Sequence, residues 1–194
     1  MGEPVWALAR RFPCQGDWSE EDYLTFPCEQ SRMEFEDGFI EVLPVPTDTH
    51  QAILKLLLFI LDAYARKVGG RARSAGLRVR LRAGRFREPD LVFLTKEHLH
   101  LRGEEYWSGA DLVMEIVSDS VEDRERDLVK KRREYAEAGV AEYWIIDPAN
   151  ETIHVLGLRD GSYAEHGAYR RGEEARSSAF EGLAADVSAV FDAD

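Results

Sequence analysis

The fold is decided by the run Asp111-Leu-Val-Met-Glu115-Ile-Val117, a charged segment after it, and Gly139-Val-Ala-Glu142-Tyr-Trp-Ile-Ile-Asp147-Pro148. The first run is apolar on both strand faces except at Glu115, as a strand covered on both sides requires. The last, Glu142 to Asp147, has the same character and is closed by Pro148. Between them, Ser120-Val-Glu-Asp123 has the pattern of a capping box opening a helix, and Gly139 is a natural stop for it. Strand, helix and strand in this order predict two parallel neighbours joined by a crossover, hence an α/β fold.

Glu115 is out of place in that strand. An ionised carboxylate in an apolar sheet is costly unless compensated, and a metal ion is the usual compensation. Asp90 raises the same question. It follows Pro89 and opens the run Leu91 to Leu94, a second strand. Two such carboxylates on adjacent strands form a divalent-cation site with oxygen ligands, suited to Mg²⁺ or Mn²⁺. Each also has a plain alternative: Asp90 as a turn residue starting its strand, Glu115 as a structural carboxylate paired with a lysine or arginine.

On the helix, Leu128, Lys131 and Tyr135 share one face and point toward the sheet. Lys131 is thus an amine aimed at the strand carrying Glu115, although a snorkelling lysine would look the same. Lys130 points about 100° away, beside Arg126, Arg133 and Glu134, and reads as solvent-exposed. Asp127 lies one turn before Lys131 and could orient it as an i,i+4 pair.

Working outward, Phe35-Glu-Asp-Gly38-Phe-Ile-Glu-Val42 reads as a hairpin turning at Asp37-Gly38. Pro44 and Pro46 end it. A helix is expected from about Thr49 to Lys67, with Ile53, Leu57, Ile60 or Leu61, and Tyr64 on its inner face and Gly69-Gly70 as its stop. A short helix near Ser19 to Thr25 carries a capping-box pattern in Ser19 and Asp22. Strands follow near Arg71 to Ser74 and Leu77 to Arg82, with later strands over Ile153 to Leu156 and Tyr163 to Tyr169. The apolar tail, with Phe180, Leu183, Val187, Val190 and Phe191, could close the core or form a homodimer contact. The expectation is one domain over residues 1–194, with a core at about 33–148, a lead-in at 1–32 and C-terminal strands and tail at 149–194.

The 194 residues carry a net charge of −12, which works against tight nonspecific binding of nucleic acid. The local pattern is different. From Arg66 to Arg87 there are nine basic residues and no acidic one. Arg78, Arg80 and Arg82 alternate with apolar residues, so one strand face is all arginine, either a solvated face or a phosphate-contacting patch. Cys14 and Cys28 have neither zinc-site spacing nor a disulfide framework. The longest apolar stretch, Ile53 to Leu61, is too short to span a bilayer and contains Lys55. With no signal-peptide pattern, a cytoplasmic protein with no membrane partner is expected.

Several of these residues also carry a resemblance. Pro89-Asp90, Glu115 followed by Ser118-x-Ser120, Lys131-x-x-x-Tyr135 and Ala138-Gly139-Val140-x-Glu142-Tyr143-Trp144-x-x-Asp147-Pro148 resemble the Uma2-type family of the PD-(D/E)xK superfamily. Upstream, Phe35-x-x-Gly38-x-Ile40-x-Val42 and His50 resemble its amino-terminal pattern. The resemblance implies a restriction-endonuclease-like core, a mixed β-sheet flanked by helices in the order helix–strand–strand–strand–helix–strand. It implies Asp90 and Glu115 as metal ligands, Lys131 as the third catalytic residue, and Glu34 and His50 as accessory positions. The superfamily's signature lysine would stand two residues after Glu115, where this chain has Val117, so Lys131 would take its role from the helix.

The expectation is therefore an Mg²⁺- or Mn²⁺-dependent endonuclease hydrolysing phosphodiester bonds, with DNA as the leading substrate. The alternatives are a nuclease-fold binding or regulatory module without turnover, and a hydrolase acting on another phosphate or sugar substrate.

Overall fold

In the computed structural model, which describes residues 12–26, 31–117 and 126–194, the described strands form sheets of six, five and two strands. The elements run α1 (Glu20–Thr25), β1 (Met33–Glu36), β2 (Phe39–Val42), α2 (Asp48–Val68), β3 (Arg71–Ser74), β4 (Arg78–Arg82), β5 (Arg85–Arg87) and β6 (Leu91–Leu94). A 3₁₀ turn (Lys96–Leu101), β7 (Tyr106–Trp107) and β8 (Leu112–Ile116) follow. A π-helical turn (Arg126–Lys130) then leads directly into α3 (Lys131–Glu137) and β9 (Glu142–Asp147). The chain ends with β10 (Thr152–Arg159), β11 (Ser162–Arg170), β12 (Glu174–Arg176), β13 (Ala184–Asp186) and α4 (Val187–Phe191).

The central sheet has the order β11-β10-β9-β8-β6-β3. Its β8–β9 pair is parallel, with Glu115 opposite Ile145, and its other pairs are antiparallel. This is the mixed sheet expected from the strand–helix–strand run. In chain order α2, β3, β6, β8, α3 and β9 supply the helix–strand–strand–strand–helix–strand core. The strands β4 and β5 leave that sheet and join a second one, ordered β2-β1-β5-β4-β7. Strand patterning shows that a segment is extended but not which sheet it enters.

Alternation on the central strands sorts their side chains onto two faces. Leu91, Phe93, Leu112, Met114 and Ile116 pack with Ile53, Leu57, Leu61 and Ala65 of α2. The tail closes the same layer. Phe180, Leu183, Val187 and Val190 are buried there, with Phe191 packed against it, so these residues complete the core rather than forming an exposed patch. On the other face, Val92, Leu94, Val113 and Val117 pack with Tyr135, Ala136 and Tyr143 under α3. A third cluster of Tyr23, Met33, Phe35 and Phe86 seats α1 on the second sheet.

Local signals explain the boundaries. Thr47 caps α2, its side chain accepting from His50 N–H, and Gly69 ends that helix in the left-handed conformation. Ser19 and Asp22 form the expected capping box on α1. Asp37 and Gly38 both have positive φ, as the tight hairpin between β1 and β2 requires. A side chain at residue 38 would also strike the carbonyl oxygen of Gly16. The capping box expected at Ser120 lies outside the described residues.

Candidate active site

Strands β6 and β8 pair with Leu91 opposite Met114, which places Asp90 across from Glu115. Both belong to the face turned toward α3, and both are nearly inaccessible, at 2% and 3%. The charged pair that the sequence marked is thus brought together by one antiparallel register.

Glu115 is held from the helix side. Its Oε1 accepts from Lys131 Nζ at 2.9 Å and from the Tyr135 hydroxyl at 2.7 Å. Lys131 Nζ also lies 3.1 Å from Glu34 Oε1 on β1, so the ammonium sits between two buried carboxylates. Helical periodicity places Lys131 and Tyr135 on this inner face. The preceding π-helical turn belongs to a class of irregularity that recurs at functional sites. Val117 shares Glu115's face and packs as core. Lys131 therefore delivers an ammonium from the facing helix to the face where a lysine at 117 would have pointed.

Asp90 is held from the other side. Its Oδ2 accepts from the backbone N–H of Ile116 at 2.8 Å. Its Oδ1 faces an Arg32 terminal nitrogen at 3.0 Å and His50 Nε2 at 3.2 Å. Burial opposes ionisation of Asp90, but His50, Arg32 and the Ile116 N–H outweigh it and hold the carboxyl below its ordinary range. Glu34 follows the same pattern: burial raises its pKa, while Lys131 and Arg87 lower it further. The Tyr135 phenol goes the opposite way, raised by burial and by the Glu115 charge, so it remains a hydrogen-bond donor.

The two carboxylates open onto a cleft of about 410 Å³ lined also by Arg32, His50, Arg126 and Lys131. Asp90 and Glu115 offer carboxylate oxygens, the donor type that Mg²⁺ and Mn²⁺ prefer. Among the described residues no cluster of three or more Asp, Glu, His or Cys side chains forms a complete metal cage. Mg²⁺ does not need one, since it is commonly held by one or two carboxylates together with waters and substrate phosphates. The residues present fit such an ion, and Asp90 Oδ1 already carries two partners that it would have to meet.

The arginine face of β4 is placed differently from an open cationic patch. Arg80 pairs with Glu20 at 2.8 Å and Arg82 with Asp37 at 2.6 Å. Arg78 lies over the Tyr23 ring and donates to the Leu24 carbonyl. None of the three lines the cleft. Acids distant in sequence supply the partners, which a local run of basic residues does not reveal.

Two neighbours of the helix also depart from the sequence reading. Glu134, expected beside Lys130 on the solvent side, is buried and holds Arg87 through two bonds of 2.7 and 2.8 Å. Arg126, expected on that side too, lines the cleft and bonds Glu41 at 3.1 Å. Lys130 is partly exposed as expected and pairs with Glu36. The side chain of Asp127 lies outside the described residues.

The sequence matches the Uma2 family, described as "Putative restriction endonuclease", over residues 20–188. The chain belongs to the Uma2 family. The structure is similar to a crystal structure, at 1.96 Å, of a "putative nuclease belonging to DUF820" from Anabaena variabilis ATCC 29413. That match has a TM-score of 0.72 at 17% identity and covers 90% of this chain and 97% of the other, a likeness of fold. No curated protein matches the sequence.

Within this Uma2 protein the residue that sequence reasoning missed is Arg32. A signal for it existed. Arg32, Glu34 and Glu36 alternate with Met33 and Phe35, so three charges share one face of the first strand. That face turns toward Lys131, Arg87 and Asp90. Burial works against the Arg32 charge, but Asp90, Glu115 and Glu88 outweigh it and raise its pKa further.

Proposed function

We propose that this Uma2 protein is a divalent-metal-dependent endonuclease that hydrolyses phosphodiester bonds, with DNA as the substrate. The observation that carries the reading is the convergence of Asp90, Glu115 and Lys131 on one cleft from two paired strands and the facing helix. Asp90 and Glu115 would hold Mg²⁺ or Mn²⁺. When bound, such an ion supplies a Lewis acid for the phosphoryl oxygen and lowers the pKa of the attacking water.

The remaining work falls to the chain. Lys131, fixed between Glu115 and Glu34, presents a localised positive charge to the phosphate as its charge grows. Tyr135 fixes the Glu115 carboxylate and so the strand-to-helix geometry. Ile116 N–H and His50 orient Asp90. Burial of the group keeps bulk water from screening these charges.

One observation favours the alternative of a nuclease fold retained without turnover: Arg32 neutralises Asp90 at 3.0 Å. The two readings separate in a plasmid-nicking assay. Supercoiled DNA is incubated with Mg²⁺ or Mn²⁺ and the wild type, Asp90→Ala, Glu115→Ala or Lys131→Ala proteins. The nuclease reading expects nicking by the wild type and loss of at least about 100-fold in each variant. Equal rates in all four would end it.

A further inference from the structure

Arg32, together with His50, holds one of the two carboxylate oxygens that Asp90 would offer a divalent ion. Its terminal nitrogen sits 3.0 Å from Asp90 Oδ1. The other Asp90 oxygen is committed to the Ile116 N–H at 2.8 Å. A cation approaching Asp90 from the cleft therefore meets the oxygen that Arg32 already holds. Arg32 is also unevenly satisfied: a second terminal nitrogen donates to the Glu88 carbonyl, while its Nε is buried without a hydrogen-bond partner and lies 3.9 Å from Glu88 Oε2. The side chain lines the cleft and retains 21% exposure. A guanidinium so placed has somewhere to go.

Its surroundings explain why a cation is kept there. Asp90, Glu88 and Glu115 are buried and act on the Arg32 charge, and Lys131 is shared by Glu34 and Glu115. Without a further positive charge, Asp90 would be left with His50 as its only ionisable partner among the described residues. Buried carboxylates that lose a partner are strongly destabilising.

We propose that Arg32 is a built-in counter-ion that competes with the divalent metal for Asp90, so that metal entry releases its guanidinium to bind the substrate phosphodiester. This rests on the assignment of Asp90 as a metal ligand. It adds an exchange in which one positive charge replaces another, so the folded site need never hold an uncompensated Asp90. The released guanidinium presents paired N–H donors suited to a phosphate.

The test is calorimetric titration of the whole protein with Mn²⁺, without DNA, for the wild type, Arg32→Met and Arg32→Lys, with folding of each checked by circular dichroism. Competition predicts that Arg32→Met binds Mn²⁺ at least about tenfold more tightly than the wild type, a difference of about 1.4 kcal/mol. Arg32→Lys, which keeps the charge but cannot bridge Asp90 and the Glu88 carbonyl with one fork, falls between them. In anisotropy titrations with duplex DNA and Ca²⁺, Arg32→Met binds DNA more weakly despite its tighter metal. A wild type that binds Mn²⁺ alongside an Arg32→Met protein with equal or weaker affinity overturns the competition and leaves the nuclease reading standing. Absence of Mn²⁺ binding by both folded proteins overturns both. Binding by Arg32→Met alone supports the competition directly.

Discussion

Lys131 Nζ meets Glu115 Oε1 at 2.9 Å, an ion pair between the first residue of α3 and the strand that precedes it. Both groups are almost fully buried. Each therefore depends on the other, and on Glu34, to remain charged in a poorly solvated place.

Removal of the lysine should consequently damage both stability and chemistry. Lys131→Met keeps much of the volume and leaves Glu34 and Glu115 facing each other without the shared ammonium. Breaking a buried pair in this way costs about 3–5 kcal/mol. Urea unfolding at pH 7 should show a loss of that order, and nicking should fall by at least about 100-fold. Stability within about 0.5 kcal/mol of the wild type would show that the carboxylates do not need this cation.

Tyr135→Phe is a milder cut at the same carboxylate. It deletes one hydroxyl that donates to Glu115 Oε1 at 2.7 Å and leaves the ring in its core among Tyr143 and Val117. The expected cost is about 1–3 kcal/mol, as for a hydrogen bond to a buried charged acceptor. Lys131 still holds Glu115, so nicking should fall far less than in Lys131→Met. A stability loss as large as that of Lys131→Met would mean that the tyrosine, not the lysine, fixes Glu115.

These outcomes bear on what the sequence can reveal. Glu115 and Lys131 are legible because each violates a local rule, one a strand pattern and the other a helical face. The parallel β8–β9 pair follows from the strand–helix–strand order. Glu134 escapes such a reading. The same periodicity that turns Lys131 inward also turns its i+3 neighbour inward, and its partner Arg87 is 47 residues away. Charge pairing across that separation leaves no mark in a local window. The second sheet is hidden for a related reason: β4 and β5 alternate like any strand, and only tertiary packing assigns their neighbours.

Arginine pairing on β4 also sets an expectation for DNA binding. A side chain that gripped a phosphate would contribute about 0.9 to the slope of log affinity against log salt. Arg80 and Arg82 already hold Glu20 and Asp37. Arg80→Ala and Arg82→Ala should therefore change that slope by well under half this amount in anisotropy titrations over a range of salt. Their stability cost should stay within about 1 kcal/mol, as for other partly exposed pairs. A loss of about 0.9 in slope in either variant would return the β4 face to the phosphate-contacting role.

Acid titration should report on Glu36, which bonds Lys130, Arg87 and Arg85 at 2.6, 2.7 and 2.7 Å. Burial opposes its ionisation, but these three cations outweigh it and bring its pKa down from 4.5 to about 2. The unfolded chain thus binds the proton first, so Glu36 contributes stability fully above pH 4.5 and loses it as pH falls toward 2. Because the side chain is partly solvated, screening reduces the contribution to about 1 kcal/mol. Glu36→Gln should be less stable than the wild type by that amount at pH 7 in urea unfolding. The difference should close as pH drops from 4.5 to about 2. Asp90 and Glu34, also depressed, act in both proteins and cancel from the comparison. A difference that persists undiminished at the acid end would mean that the substituted amide disturbs packing, and that the Glu36 charge is not what the three cations stabilise.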